Sequence, residues 1–298
     1  MEARSFFSKV LLFGEYSVIQ HSMALSIPYN LFEGRLKFPR DKSKGIDPEL
    51  KAFCQYLKKL PDSNIDTKSF EFDLSQGLFF HSTIPQGFGV GSSGALVAAV
   101  YDRYAKEVIS LDNLSTLKDH FARMESHFHG SSSGVDPLIS YLGQSLLIHG
   151  KKDYRAVELP KYHGGGKGGL FLLNTGRPRR TEPLVNLFLE KCRQADFIEN
   201  CMNKLIPIND ACIEAFLEQD TANLFEHMAS LSKIQYEHFA PMIPQLYQET
   251  WKRGLESGDF HLKLCGAGGG GFLLGVTKDF ARLEEVLPSA EIRPLFSF

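Results

Sequence analysis

Neither sign of charge is in excess in this chain: 33 Lys and Arg stand against 35 Asp and Glu, for a formal net charge of -2 at pH 7. That balance excludes the basic footprint of a nucleic-acid binder and the polybasic patch of a membrane-surface protein, so affinity for a partner must come from a local site. Cysteine is scarce and unpatterned. The five, at 54, 192, 201, 212 and 265, form no CxxC pair and no metal-ligand spacing, and their odd number argues against a disulfide framework. Reduced, mostly packed thiols are expected. Long hydrophobic runs are missing as well: the N-terminal apolar stretch is interrupted at Glu15, too short for a signal-peptide core and far below a membrane span. There is no repeat and no low-complexity tract. These absences lead us to expect a soluble cytoplasmic protein, monomer or homodimer, that works on small molecules.

The 298 residues present suffice for two domains of about 150 residues each. Residues 5–13 and 16–20 read as strands around a turn at Gly14, with 31–39 as a partner. The segment 47–60 is helical, with Leu50, Phe53, Leu57 and Leu60 on one face. Alternation in FEFDL and GLFFHSTI predicts two further strands ending at Pro85. A breaker-free, Ala- and Leu-rich run predicts a helix over 94–109, and a second helix fits 115–128. LISYLG and QSLLIHG read as a short helix and a strand, and HGGGKGGL at 163–170 as a loop at the domain boundary. FLLNTG is a strand, 183–256 is mostly helical with a break near Pro241 and Pro244, and HLKLCGAGGGGFLLGV is two strands joined by glycines, followed by a helix and a closing strand. Strands grouped in this way favour an α+β fold.

Three patterns carry chemistry. In PQGFGVGSSGALVAAVYD, the glycines at 87, 89 and 91 let backbone approach a ligand, and the helix that follows offers unpaired amides and the positive end of its dipole, which makes an anion cradle. Ser92 or Ser93 can cap that helix or ligate the magnesium of a nucleotide; an ordinary glycine-rich turn with a serine cap is an equally common origin of such a stretch. No G-x-x-x-x-G-K-[ST] is present, and the GxGxxG at Gly266, Gly268 and Gly271 joins two strands with no helix after it, so neither a Walker loop nor a Rossmann motif is at hand. Gly130–Gly134 satisfies G-x-S-x-G, but the residues before it are helical where a nucleophile elbow needs a strand, which leaves a serine hydrolase with Ser132 as nucleophile a remote alternative.

Glu125 and Asp136 lie eleven positions apart across a polar turn, a separation that lets one ligate a metal and the other take a proton. A solvated helix acid and a turn aspartate are the commoner origin of such a pair. His127 and His129 would face different sides of a helix, so surface or packing roles are expected of them. Lys9, before an apolar strand, can hold an aspartate ionised, and Arg177, Arg179, Arg180 and Thr181 form a basic turn suited to a small anion.

Taken in order, SKVLLFGEYSVIQHSMALSIP, PQGFGVGSSGALVAA and KLCGAGGGGFLLGV resemble the three signature motifs of the GHMP kinase superfamily, over residues 8–275. The resemblance implies a two-domain α+β fold, an N-terminal mixed domain over 1–165 and a ferredoxin-like C-terminal domain over 166–298, with ATP and Mg2+ bound. By similarity, Gly87, Gly89, Gly91, Ser92, Ser93, Gly94, Gly268 and Gly269 would hold ATP and Ser93 and Glu125 the magnesium. Asp136 would be the base with Lys9 beside it, and Glu15, Tyr16, Arg179, Thr181, Gly266 and Ala267 would face the acceptor. Among members, the Glu125 to Asp136 spacing, the SGVD turn and the PRRT stretch are most similar to the mevalonate kinases, whereas the Gly-Glu-Tyr ending at Tyr16 is more like phosphomevalonate kinase. A nucleotide-binding protein without activity is the competing class, and retention of a base argues against it.

Overall fold

The computed structural model describes residues 4–39, 45–150, 153–161, 165–179 and 182–298. The chain divides into two compact units that interleave in sequence: residues 1–10, 27–85 and 90–145 make the first, and 11–26, 86–89 and 146–298 the second. Strands β1 (Phe6–Phe13) and β2 (Met23–Lys37) each run from one unit into the other.

In the first unit, α1 (Pro48–Lys59), α2 (Thr67–Ser75), β3 (Phe79–Ser82), α3 (Ser92–Tyr104), α4 (Leu114–His129) and α5 (Val135–Leu142) follow in order. Helix α3 is apolar all round and is buried from Gly94 to Tyr101, as such a helix must be, with α4 and α5 packed on it. Asp47 caps α1 by accepting from the Glu49 and Leu50 amides, and Leu50, Phe53 and Leu57 form its buried face. Strand β3 pairs antiparallel with β2, Gly34 opposite Ser82 and Lys37 opposite Phe79.

The second unit contains β4 (Leu146–His149), β5 (Asp153–Ala156), β6 (Gly169–Asn174), α6 (Glu182–Lys191), α7 (Ala195–Phe197), α8 (Asn203–Leu217), α9 (Thr221–His238), α10 (Gln248–Ser257), β7 (Phe260–Leu264), β8 (Phe272–Thr277), α11 (Phe280–Val286) and β9 (Glu291–Ser297). Here β6 to β9 form an antiparallel sheet in the order β7-β8-β6-β9, the arrangement of a split βαβ, ferredoxin-like unit. Helices α9 and α10 pack on β7, and fully buried Trp251 on α10 donates its indole N–H to the Ser232 carbonyl of α9. The α+β class expected from the sequence is the class observed.

Three expectations are corrected. Residues 17–20 are a single tight helical turn, not a strand, because Tyr16 and His21 on either side adopt left-handed φ of 62° and 70° and the Val18 amide bonds back to Gly14. FEFDL lies in α2: Phe70 and Leu74 satisfy a helical i, i+4 face as well as strand alternation, and the Asp66 carboxylate decides the matter by accepting from the Lys68 and Ser69 amides. Helix α3 stops at Tyr104, since Ala105 bridges to Ile65 and the Lys106 amide donates to Asn64. Of the 163–170 loop, His163 and Gly164 lie outside the described residues. All five cysteines are free thiols and only Cys192 is less than buried. Among the described residues no helix is long and apolar enough to cross a membrane.

Candidate active site

In the first unit the middle of β1 meets the N-terminal ends of α3 and α5. Lys9 sits on β1 with its amide bonded to the Val90 carbonyl at 2.9 Å, which fixes its side chain beside the α3 entry. Its ammonium lies 3.0 Å from Asp136 Oδ1, the lysine side chain 9% exposed and the aspartate 32%. Lys9 is therefore the structural partner of an accessible carboxylate. Gly91, at φ 80°, stands where a Cβ would come to 3.0 Å from the Lys9 side chain and 3.6 Å from Asp136 Oδ2, so the pair is accommodated by bare backbone. At Gly94 a Cβ would meet the Asp136 and Pro137 backbone at 2.8 Å, which is how α5 comes close enough to present Asp136.

Beside this pair, Ser93 donates its hydroxyl to Glu125 Oε1 at 2.9 Å, and Ser132 donates to Glu125 Oε2. Glu125, on α4, is 3% exposed. Burial first, and then the charge of Asp136, push its carboxyl from 4.5 up to about 7, with the Ser132 and Ser93 hydroxyls and Lys9 pulling the other way. His129 Nε2 lies 2.9 Å from Ser93 Oγ. Sequence reasoning missed His129 and the partner role of Ser132, although His129 follows Glu125 by four residues and so shares its helix face, a signal that was available. His127, in contrast, packs on Phe53 and Tyr56 as expected. Ser132 follows the end of α4 with no strand before it and its hydroxyl is committed to Glu125, which removes the geometry of a nucleophile elbow. Neither Ser92 nor Ser93 caps α3: the cap is Gly91, with no side-chain acceptor, so the first-turn amides are left for another acceptor.

The second unit gathers the other sequence-predicted residues. The Arg179 amide donates to the Gly87 carbonyl at 2.8 Å, and the guanidinium donates to the Gly268 and Cys265 carbonyls at 3.2 and 3.4 Å. A Cβ on Gly89 would fall 1.9 Å from Arg179 Nη2, and one on Gly266 would fall 2.6 Å from it. Two glycine segments are thus bare on the faces that clasp one arginine. The Gly269 amide bonds to the Met242 carbonyl at 2.5 Å. Tyr16 is buried between Phe188 and Phe239, with centroids at 4.7 and 5.4 Å, and its hydroxyl donates to the Ala267 carbonyl at 2.6 Å. Burial raises that phenol well above its ordinary range. Glu15 pairs with Lys263 beneath the same loop. Arg180 and Thr181 lie outside the described residues.

Residues 50–144, which include Ser92, Ser93, Glu125 and Asp136, match the GHMP kinases N terminal domain. About a third of the chain is thus similar to a GHMP kinase domain. Over most of its length the chain is similar to mevalonate kinases, among them one from Dictyostelium discoideum, 23% identical over 82% of this chain and 65% of its own length, and one from Archaeoglobus fulgidus, 24% identical over 91% of this chain and 90% of its own. The chain thus spans slightly less than two thirds of the Dictyostelium relative and nearly all of the archaeal one. Among solved structures, phosphomevalonate kinase from Streptococcus pneumoniae, in complex with phosphomevalonate and AMPPNP, superposes with a TM-score of 0.69 at 15% identity, over 99% of this chain and 100% of that one. That likeness shows that the GHMP kinase fold extends beyond the matched domain, to the strand bearing Lys9 and the loop at Gly266–Gly271.

Proposed function

We propose that this chain transfers the terminal phosphoryl group of ATP to the primary hydroxyl of mevalonate, giving 5-phosphomevalonate and ADP. The observation that carries the reading is the Lys9–Asp136 pair at 3.0 Å, beside a buried Glu125 whose charge is offset only in part. Asp136 takes the hydroxyl proton as that oxygen bonds to the γ-phosphorus and the bond to the bridging oxygen of ADP breaks. Lys9 pairs with the Asp136 carboxylate at 3.0 Å and lends positive charge to the transferring group. The uncapped amides of α3 donate to phosphate oxygens. By family similarity, Arg179, Tyr16, Gly266 and Ala267 would serve the acid end of the acceptor and Gly87, Gly89, Gly268 and Gly269 the nucleotide, while Glu15, buried on Lys263, holds the loop rather than touching the acceptor.

Magnesium fits the donor set. No group of three His, Cys, Asp or Glu among the described residues would hold a metal by itself, but Mg2+ characteristically takes one or two protein oxygens and completes its shell with phosphates and water. Ser93 Oγ and the Glu125 carboxylate, bonded to each other and buried without a full countercharge, are such a pair. Held there by Ser93 and Glu125, the ion would offset the negative charge of the transferring group.

The test is ADP release with mevalonate, phosphomevalonate, homoserine and galactose in turn. Turnover with mevalonate is expected. The second reading, favoured by the Gly-Glu-Tyr of residues 14–16, is phosphomevalonate as acceptor, and turnover with that compound alone would establish it. ATP binding with no turnover on any acceptor would overturn the kinase reading in favour of a binding protein.

A further inference from the structure

Strand β7 reads FHLKL and every residue of it is buried, so a lysine at its fourth position stands out. The Lys263 side chain is 0% exposed, and its three N–H donors are all used: on the Leu12 carbonyl at 2.8 Å, the Leu264 carbonyl at 2.7 Å and Glu15 Oε1. Glu15 is 1% exposed at its side chain; burial raises its carboxyl, and Lys263 first, then its own amide and that of Gly266, favour the charged form. One residue on, the Tyr16 hydroxyl donates to the Ala267 carbonyl. The turn at 15–16 therefore grips the first two residues of the glycine loop, one by its N–H and the other by its C=O. Lys263, at the base of that loop, braces the gripping carboxylate.

A buried ion pair is a poor source of stability, because removing two charges from water costs about as much as their attraction returns, and an apolar pair of the same volume does as well or better. What the pair supplies is direction. A carboxyl group with one oxygen tied to Lys263 has a fixed orientation toward the Gly266 amide, in a loop whose glycines impose little orientation of their own.

We propose that Lys263 and Glu15 are a positioning unit for the glycine loop, setting the backbone at Gly266 and Ala267 and through it the fit of the acceptor, rather than contacting the acceptor themselves. The kinetic consequence rests on the kinase reading above; the structural one does not.

The test compares wild type with Lys263→Met, Glu15→Gln and the double variant Glu15→Gln/Lys263→Met by thermal unfolding, by amide hydrogen exchange of residues 265–271 and by steady-state kinetics. Lys263→Met alone leaves a buried, uncompensated carboxylate and loses stability; the double variant, with both charges gone, recovers it. In the recovered double variant the amides at 266 and 267 are expected to exchange about tenfold faster and the acceptor KM to rise about tenfold, more than the nucleotide KM, a loss smaller than the roughly 10²-fold that a 1 Å misplacement can cost. A purely structural pair predicts native loop exchange and native KM once stability is restored, and that result overturns the proposal. If the double variant does not fold, Glu15→Gln, which keeps the side chain's shape, is read by the same two criteria. A wild type inactive on every acceptor would refute the kinase reading while the exchange measurement still decides for or against the positioning role.

Discussion

Above pH 7 the ligand-free protein should become more stable when Glu125 loses its charge. Its carboxyl is buried against Asp136 and titrates near 7 in the native chain, against 4.5 in the unfolded one. Between those two values the native chain keeps a proton that the unfolded chain has already released. Stability contributed by this group is therefore fully present below pH 4.5 and drains away as the pH climbs to about 7. The interval of about 2.5 pH units, at about 1.36 kcal/mol each, amounts to on the order of 3 kcal/mol. Glu125→Gln removes that cost, while its amide still offers an acceptor and a donor to the Ser93 and Ser132 hydroxyls, which rotate to suit. Urea denaturation of both proteins in metal-free buffer, from about pH 4 to about pH 8, gives the difference curve that isolates this group from the other carboxylates. The variant should gain on wild type by on the order of 3 kcal/mol across the window, with flat limbs on either side. Parallel curves would refute the reasoning, since they would mean that Glu125 titrates alike in both states and that no cation-seeking charge is stored there.

Asp136→Asn should lower turnover on the order of 10²–10⁴-fold, the usual loss for a general base, and leave the Kd of a fluorescent ATP analogue unchanged. Equal loss of binding and turnover would assign Asp136 to the nucleotide instead. Gly89→Ala places a methyl 1.9 Å from Arg179 Nη2 at a φ of 74°, so about 1–2 kcal/mol of backbone strain is added to the displacement of the guanidinium. A lower Tm together with a raised acceptor KM is expected, and a variant unchanged in both would show that the glycine is not there for Arg179.

How much of this was legible in the sequence differs between backbone and side chains. The apolar runs of β6, β7 and β8 and the breaker-free run of α3 are local patterns, and each led to the right element, while the Glu125 to Asp136 spacing marked two carboxylates that stand in the same unit. FEFDL failed because Phe70 and Leu74 satisfy two periodicities at once, and only the Asp66 cap, one residue before the helix, decides between them. The glycines were more instructive. The sequence reveals that a bare backbone is needed at 87–91 and 266–271, but not what comes close to it, because the approaching group arrives from elsewhere in the chain. At Gly91 that group is Lys9, and at Gly89 and Gly266 it is the guanidinium of Arg179, with no ligand needed to account for the missing Cβ. Lys263 is the converse case: a charge in an apolar strand is visible in the sequence as an anomaly, yet its partner lies 248 positions away. Its meaning follows only from the carboxylate that it meets. The same holds for His129, which is one turn of helix from Glu125 and is explained only by Ser93 at 2.9 Å. In each instance the sequence marks where a constraint acts, and the fold supplies the residue that imposes it.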